Sequence, residues 1–323
     1  LPMNIQRSEV ENPVYDMTFE DKHTDAAAAQ QAADTILEAL EQAKRPVIML
    51  GHGVDSSFSQ QKLIRFAQKR QIPIITSVLA KSVLGYDHPL NFGCIGGAYG
   101  HRYANMIANA KSDLLLCFGI SLCTRQIGTK VHEFARGAKI IRIDIDPYNL
   151  QRDIHENGIN EVKLQAETGA VIDCLAKAAA PDTEGISDWL NVCTEIKENL
   201  QAVDDATPER YPNRMIADLS DMLEDTSAIA VDVGQHMVWS YQSFKNHEGQ
   251  KLLFSGGHGA MGYGLPAAIG AYYATGKPTA CICGDGALQM NIQELEWVKR
   301  ENLPVKIMVM NNEALGMIRH LQR

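Results

Sequence analysis

The sequence predicts an α/β protein with two doubly wound parallel-sheet domains. Short, continuously apolar runs, such as residues 113–118, alternate along the chain with stretches of helical periodicity. Strands that are apolar at every position are buried on both faces, and the helices between them cover those faces. The chain has 323 residues, which is long for one domain and suits two domains that each bury a core.

The first predicted domain covers residues 24–180. It opens with an alanine-rich helix that stops before Pro46, because proline cannot continue a helix. A buried strand follows, and the alternation of helix and strand repeats up to a closing helix. The predicted strands are 46–50, 72–77, 113–118 and 139–145, and the predicted helices are 25–44, 57–70, 99–110, 129–136 and 167–177.

The second predicted domain covers residues 181–323. It begins within residues 178–185, whose small and polar composition is typical of a linker. The predicted strands are 228–233, 279–283 and 305–310, and the predicted helices are 186–200, 212–223 and 290–300. Because the sequence stops soon after the last strand, we expect this domain to be truncated at its C-terminal end.

The composition argues against several classes of partner. The formal net charge is -9 and lysine and arginine form no run, which disfavours nucleic acid and anionic membrane surfaces as partners. We therefore expect a small-molecule substrate. The seven cysteines form no CxxC pair, and no apolar stretch approaches the length of about 20 residues that spans a bilayer. The first residues do not resemble a signal peptide, so we predict a cytoplasmic protein with reduced thiols.

Two side chains with oxygen ligands follow two of the predicted strands. Asp285 lies between two glycines just after strand 279–283, and Asn312 follows strand 305–310 after one further residue. The carboxyl ends of neighbouring parallel strands lie side by side, so Asp285 and Asn312 should converge. Their oxygens, with a backbone carbonyl just beyond, form half of a shell for Mg²⁺, which phosphate oxygens and water would complete. The glycines allow close approach of a diphosphate, and a helix after Asp285 would present its N-terminal dipole.

Each of these two fragments alone has a simpler explanation, a strand-ending turn for Gly-Asp-Gly and a loop for Asn311-Asn312. Together they are more specific. The Gly-Asp-Gly, the 24 residues between Gly286 and Asn311, and the intervening strand–helix–strand pattern resemble the thiamine diphosphate signature. Three further segments resemble those of acetohydroxyacid (acetolactate) synthases, namely residues 231–239, 254–270 and 311–317.

The first domain resembles the middle domain of the same family. The motifs LGHG, IPIITSVLAKSVLGYDHPLNFG, ANAKSDLLLCFG and AKIIRIDIDP occur in the family's order. The resemblance implies that residues 24–180 are this middle domain and residues 181–323 are the diphosphate-binding domain. Residues 1–23 would be a linker from an upstream pyrimidine-binding domain. In the family that domain, from a partner subunit, carries the catalytic glutamate. We therefore expect this chain alone to be inactive, and the active protein to be a homodimer or homotetramer.

The resemblance also assigns roles to particular residues. Met261 would be the bulky wedge that bends thiamine diphosphate into the V shape that brings its reacting groups together. Gln235 and His236 would contact the diphosphate. Without the resemblance, a core methionine would explain Met261 better, and the alternative for His236 is a satisfied surface histidine. The metal ligands would be Asp285, Asn312 and the carbonyl of Ala314. The other cofactor-binding residues would be Val233, Gly234, Gly259, Gly286, Ala287, Leu315, Gly316 and Met317.

The implied reaction is the decarboxylation of a 2-oxo acid, pyruvate, and transfer of the two-carbon unit to an acceptor carbonyl, as in branched-chain amino acid biosynthesis. The cofactor would provide the chemistry. The protein would bind the metal, hold the cofactor in its bent shape and orient the reacting groups. One alternative is another carboligase or decarboxylase of the superfamily, for example one that adds an acetyl unit to a keto sugar. Another is a non-catalytic nucleotide-binding protein on the same fold, which failure to bind thiamine diphosphate would support.

The family's middle domain also holds a flavin, and here the sequence departs from the family. Cys123 and Thr124 stand where two adjacent acids are usual, although Arg125 and Gly128 match. The resemblance therefore admits FAD but does not favour it.

Two motifs of the first domain have more than one explanation. A Gly-His-Gly at residues 51–53 follows a strand, but a lone GxG is weak evidence for a dinucleotide site, and Ser56 replaces the third glycine. Asp144 and Asp146 would either face a ribose or cap the next helix.

Overall fold

The computed structural model describes Ser8 and residues 25–54, 56–97, 99–155, 158–178 and 186–322. These residues form two parallel β-sheets, of six and four strands, with helices packed against them. The α/β class and the two parallel-sheet domains predicted from the sequence are therefore confirmed. The predicted linker at 1–23, apart from Ser8, and residues 179–185 lie outside the described residues.

The first sheet is built from short strands, and its central strands are buried at nearly every position. The strands of this sheet are β1 Pro46–Leu50, β2 Ile74–Thr76, β3 Asn91–Cys94, β4 Leu114–Phe118, β5 Lys139–Asp144 and β6 Glu161–Gln165. Their order in the sheet is β3-β2-β1-β4-β5-β6, and every neighbouring pair is parallel. The order reverses between β1 and β4, as in other doubly wound sheets.

Helices cover both faces of this sheet. They are α1 Ala26–Gln42, α2 Ser57–Lys69, α3 Arg102–Met106, α4 Thr124–Ile127, α5 Pro147–Gln151, α6 Thr168–Lys177 and α7 Ile186–Asn199. In α1, buried alanines and Ile36 form the face that packs against the sheet. Helix α7 packs on the other side, where the Trp189 indole nitrogen donates to the Pro46 carbonyl at 3.0 Å.

The second sheet has four strands in the order β10-β9-β7-β8, all parallel. These strands are β7 Ala228–Val231, β8 Lys251–Phe254, β9 Thr279–Gly284 and β10 Val305–Met310. The helices of this part are α8 Pro212–Met222, α9 Gln235–Ser243, α10 Gly264–Thr275, α11 Asp285–Met290, α12 Glu294–Arg300 and α13 Gly316–Leu321. Strands β7 and β9 are buried throughout, which matches their apolar sequences.

Several elements differ from the sequence prediction. The helix predicted over 129–136 is wrong: Ala135 has a φ of +46°, and the segment holds only a 3-10 turn at Val131–Glu133. The helix predicted over 290–300 begins only at Glu294, and a separate short helix, α11, begins at Asp285 itself. Strands β3, β6 and β8 are absent from the prediction, because they are edge strands whose sequences contain polar or glycine positions.

The two sheet-containing parts are joined by hydrogen bonds between their loops. Asn246, which is buried, accepts from the Tyr86 backbone NH at 2.8 Å, and its side chain donates to the Leu84 carbonyl at 2.9 Å. Gln242 of α9 donates to the Tyr99 carbonyl at 3.2 Å. The C-terminal end of α9 is therefore fixed against the first part of the chain.

The structure describes all seven cysteines, and each is a free thiol, as the sequence predicts. Among the described helices, none is both long enough and apolar enough to cross a membrane.

Candidate active site

A cavity of about 190 Å³ lies at the carboxyl ends of β7, β9 and β10. Brief turns or short helices follow these strands, so the side chains after each strand point to a common edge. Every residue that the sequence analysis assigned to a cofactor lies on the wall of this cavity. They are Val233, Gly234, Gln235, His236, Gly259, Met261, Asp285, Gly286, Ala287, Asn312, Ala314, Leu315, Gly316 and Met317.

The register of β9 and β10 brings the two expected oxygen ligands together. Met310 is paired with Gly284, so the residues that follow them leave the sheet side by side. The Asp285 carboxylate is half-buried, and no hydrogen bond or ion pair engages it within the described part of the chain. Asn312 Oδ1 accepts from the Ala314 backbone NH at 3.1 Å, which folds the loop after β10 into a tight turn.

These residues fit a hard divalent cation that is bound partly by other molecules. A half-buried carboxylate that no described residue engages, an amide oxygen and a nearby backbone carbonyl are the donors that Mg²⁺ prefers. No group of three or more His, Cys, Asp or Glu residues suited to a metal occurs among the residues that the structure describes. The cavity therefore provides only part of a coordination shell, and phosphate oxygens and water would have to supply the rest.

His236 is buried at the start of α9 and lines the cavity. The residue is 4% exposed, and its Nε2 atom has no hydrogen-bond partner among the described residues. Burial lowers the pKa of His236, while the neighbouring Asp232 and Asp285 carboxylates oppose that shift. The alternative of a satisfied surface histidine is therefore wrong. A Cβ on Gly234 would lie 2.6 Å from the His236 ring, so a side chain at position 234 would displace that ring.

Met261 is partly buried, and its role as the wedge that bends the cofactor stays a prediction. It lines the cavity and also packs against the apolar cluster formed by β9, α10 and their neighbours. A Cβ on Gly286 would lie 3.8 Å from the Met261 methyl carbon and 2.7 Å from Leu315 Cδ2. The contact with Met261 would be an ordinary one, whereas the end of the Leu315 side chain would have to move to admit a Cβ at position 286.

Asp232 is the main residue of the site that the sequence analysis did not identify. It follows β7 directly, is 1% exposed, and accepts hydrogen bonds from the backbone NH groups of Val233, Gly262 and Gly264 at 2.7–2.9 Å. Its position immediately after a buried strand was a usable signal, the same one that identified Asp285. The cavity wall also includes four unpredicted residues, Trp239, Gly284, Met310 and Ile318.

Other motifs of the sequence have structural roles elsewhere. The Gly-His-Gly at 51–53 packs against the loop after β4: a Cβ on Gly51 would lie 2.0 Å from the Gly119 carbonyl oxygen. Asp146 is the N-cap of α5 and accepts from the Tyr148 backbone NH at 2.9 Å, which favours the capping explanation for this acid. Cys123 caps α4.

Comparison with known protein families matches two parts of this chain. Residues 33–175 match the family described as thiamine pyrophosphate enzyme, central domain. Residues 232–323 match the family described as thiamine pyrophosphate enzyme, C-terminal TPP binding domain.

Curated relatives that resemble the chain are named as acetolactate synthases. A probable acetolactate synthase large subunit of Methanococcus aeolicus is 33% identical over 297 residues, which are 87% of this chain and 49% of that protein. The acetolactate synthase isozyme 1 large subunit of Escherichia coli (strain K12) is 33% identical over 302 residues, 92% of this chain and 52% of that protein. The chloroplastic acetolactate synthase 1 of Nicotiana tabacum is 35% identical, with 88% of this chain and 42% of that protein covered. The chain therefore spans about half the length of the curated relatives it matches.

Proposed function

The chain belongs to the thiamine pyrophosphate enzymes, and on that premise we propose that its cavity binds the diphosphate end of thiamine diphosphate (thiamine pyrophosphate) together with Mg²⁺. One observation carries the proposal. The residues that the family resemblance assigns to cofactor and metal surround a single cavity, and the Asp285 carboxylate on its wall has no partner within the described residues.

Each residue would have a distinct task in this site. Asp285, Asn312 and the Ala314 carbonyl would hold Mg²⁺. His236 Nε2 and the Gln235 side chain would face the diphosphate, and a bound anion would favour the protonated form of the histidine ring. Met261 would contact the bound cofactor and keep water out of the apolar part of the cavity.

We propose an acetolactate synthase-like reaction for the protein: decarboxylation of a 2-oxo acid, pyruvate, and transfer of the two-carbon unit to an acceptor carbonyl. When bound, thiamine diphosphate supplies the electron sink that such a decarboxylation requires. The relatives named above support this choice of reaction. We further propose that the active assembly is a homo-oligomer, as expected for the family.

The binding proposal can be tested by isothermal titration calorimetry with thiamine diphosphate, with and without MgCl₂. We expect magnesium-dependent binding by the chain, and a dissociation constant at least about tenfold higher for Asp285→Asn. The substitution removes no hydrogen bond among the residues that the structure describes, so the variant should remain folded by circular dichroism. The matched control is Asp225→Asn, which changes a surface acid of the same domain that pairs with Lys306.

Two results would contradict the binding proposal. One is equal affinity in the Asp285→Asn variant and the unaltered chain. The other is no binding by a folded sample at millimolar ligand. The reaction is tested separately by following carbon dioxide release from pyruvate and by searching for acetolactate; turnover by the 323-residue chain alone would contradict the expectation that it is inactive by itself.

A further inference from the structure

The glycine-rich loop of residues 255–263 carries two residues of the cavity wall, Gly259 and Met261. It connects β8 to α10 and contains no helix or strand. Gly259 and Gly262 have φ angles of +77° and +84°, which glycine adopts easily and other residues rarely do. A segment with such backbone freedom needs contacts from outside itself to keep one conformation.

One such contact comes from the buried carboxylate of Asp232. Its Oδ1 accepts from the Gly262 backbone NH at 2.9 Å, and its Oδ2 accepts from the Gly264 backbone NH at 2.7 Å. These two NH groups lie on the C-terminal side of Met261, at the end of the loop and the start of α10. Hydrogen bonds to a buried ionised group are stronger than those between neutral groups. Asp232 therefore fixes the end of the loop that carries Met261.

The second contact comes from the other domain. Arg125 Nη1 donates to the carbonyl oxygens of Gly257 at 3.0 Å and Gly256 at 3.3 Å, across more than 130 residues of sequence. A Cβ on Gly259 would lie 4.0 Å from the same nitrogen, so the guanidinium lies beside the cavity wall. Arg125 belongs to α4, which is itself anchored because the Gln126 carbonyl accepts from the Gly97 backbone NH at 3.1 Å.

We propose that Arg125 and Asp232 are positioning residues that hold the glycine-rich loop at its two ends, so that Gly259 and Met261 keep their places on the cavity wall. The central domain would thereby contribute to the site through Arg125. The consequence for ligand affinity rests on the proposed function of this cavity. If loss of one contact reduces the population of the binding conformation to a tenth, the apparent dissociation constant rises about tenfold.

The position of the loop can be tested without any ligand, by hydrogen–deuterium exchange of the peptide that spans the loop. The test variant is Arg125→Met, which keeps the length of the side chain and removes its donors. Arg125 is exposed, so this change leaves the core intact. The matched control is Arg45→Met, because Arg45 also donates from its guanidinium to a backbone carbonyl, that of Lys111, away from the cavity. Asp232→Asn is a second test variant. If Asp232→Asn does not fold, Arg125→Met alone tests the proposal.

We expect the loop amides to exchange at least about tenfold faster in Arg125→Met and in Asp232→Asn than in the unaltered chain and in Arg45→Met. Unchanged exchange of the loop in Arg125→Met would overturn the proposal. Conservative replacement gives a further check: Arg125→Lys keeps one donor group and should restore part of the protection.

Ligand affinity then tests whether the loop position matters to the cavity. We expect Arg125→Met to weaken magnesium-dependent thiamine diphosphate binding about tenfold. In a Met261→Ala background the same substitution should have a much smaller effect on affinity, because the side chain that Arg125 helps to position is then absent. Faster loop exchange with unchanged affinity would overturn the proposal. If the unaltered chain does not bind the ligand, the proposed function fails, while the exchange experiment still decides whether the two residues hold the loop.

Discussion

The side-chain amide of Asn312 donates a hydrogen bond of 3.0 Å to Gln235 Oε1, although the two residues are 77 positions apart. The contact joins the loop after β10 to the first residue of α9. Space for it depends on Gly316, where a Cβ would lie 2.0 Å from Gln235 Oε1. An expected metal ligand and an expected diphosphate contact therefore hold each other in place on the cavity wall.

Replacing Asn312 should weaken magnesium-dependent binding of thiamine diphosphate without unfolding the chain. In Asn312→Ala the amide oxygen and the contact to Gln235 are both lost, and we expect the dissociation constant to rise at least about tenfold. The neighbouring Asn311 provides the matched control, since its Oδ1 also accepts a loop NH, that of Glu313 at 3.0 Å, but it does not line the cavity. Titration calorimetry measures both variants, and an equal loss of affinity in Asn311→Ala would contradict the assignment.

Breaking the buried Arg142–Glu161 ion pair should strongly destabilise the first domain. Its side chains are 2% and 0% exposed and 2.8 Å apart, and Glu161 also accepts from the Ile154 backbone NH. We expect Arg142→Met to lower the free energy of unfolding by about 3–5 kcal/mol, because it leaves a buried carboxylate without its cation. Urea denaturation followed by circular dichroism measures the change.

Two comparisons test the cause of that loss. The double variant Arg142→Met/Glu161→Gln should recover part of the stability, since the uncompensated charge is removed as well. The exposed pair Arg214–Asp218 is the control, and Arg214→Met should change the free energy of unfolding by less than about 1 kcal/mol. A double variant less stable than Arg142→Met alone would contradict the explanation.

The sequence predicted those parts of the molecule that depend on local pattern. Uninterrupted apolar runs identified the central strands, and the polar positions just beyond the ends of two of them identified Asp285 and Asn312. The family resemblance added positions such as Gly234 and Gly316, whose lack of a side chain makes room for His236 and Gln235.

The remainder depends on contacts between distant segments, which local pattern does not contain. Strand β6 is half-exposed at the edge of its sheet, so its sequence lacks a continuous apolar run. The Arg125 contact to the glycine-rich loop links two domains, and nothing in the residues around Arg125 indicates its partner. The place of Asp232 after a buried strand was visible in the sequence, but its partners were not, because its oxygens accept mainly from backbone NH groups 30 and 32 residues later in the chain.

Thiol reactivity should separate the cysteines into two groups. Burial raises the pKa of the Cys117 thiol to about 12, and it raises the pKa of Cys94 and Cys193 as well. The pKa of Cys281 is raised first by its hydrogen bond with Cys283 and then by burial. At pH 8 a thiol with the pKa of Cys117 is ionised in only about one molecule in ten thousand, and the thiolate is the reactive form. We expect Ellman's reagent to modify the partly exposed Cys123 and Cys174 first.

The five buried thiols should then react only when the chain is unfolded in urea. Peptide mapping after brief labelling identifies the modified positions, and the unfolded sample provides the reference for complete modification. Labelling of Cys117 as rapidly as Cys123 in the native chain would show that the first sheet opens far more readily than its burial implies.

Gly51 should be indispensable for packing between the loops that follow β1 and β4. Its backbone NH donates to the Phe118 carbonyl at 2.9 Å, and a Cβ there would lie 2.0 Å from the Gly119 oxygen and 2.6 Å from Ile120 Cα. Backbone atoms cannot move aside as a flexible side chain can, so we expect Gly51→Ala to lower the free energy of unfolding by more than about 2 kcal/mol. Gly137→Ala is the matched control: no atom lies within 4 Å of the added Cβ, so the change should be within about 0.5 kcal/mol. Urea denaturation of both variants decides whether the Gly-His-Gly motif is explained by close packing, since equal stability of the two variants would leave that explanation without support.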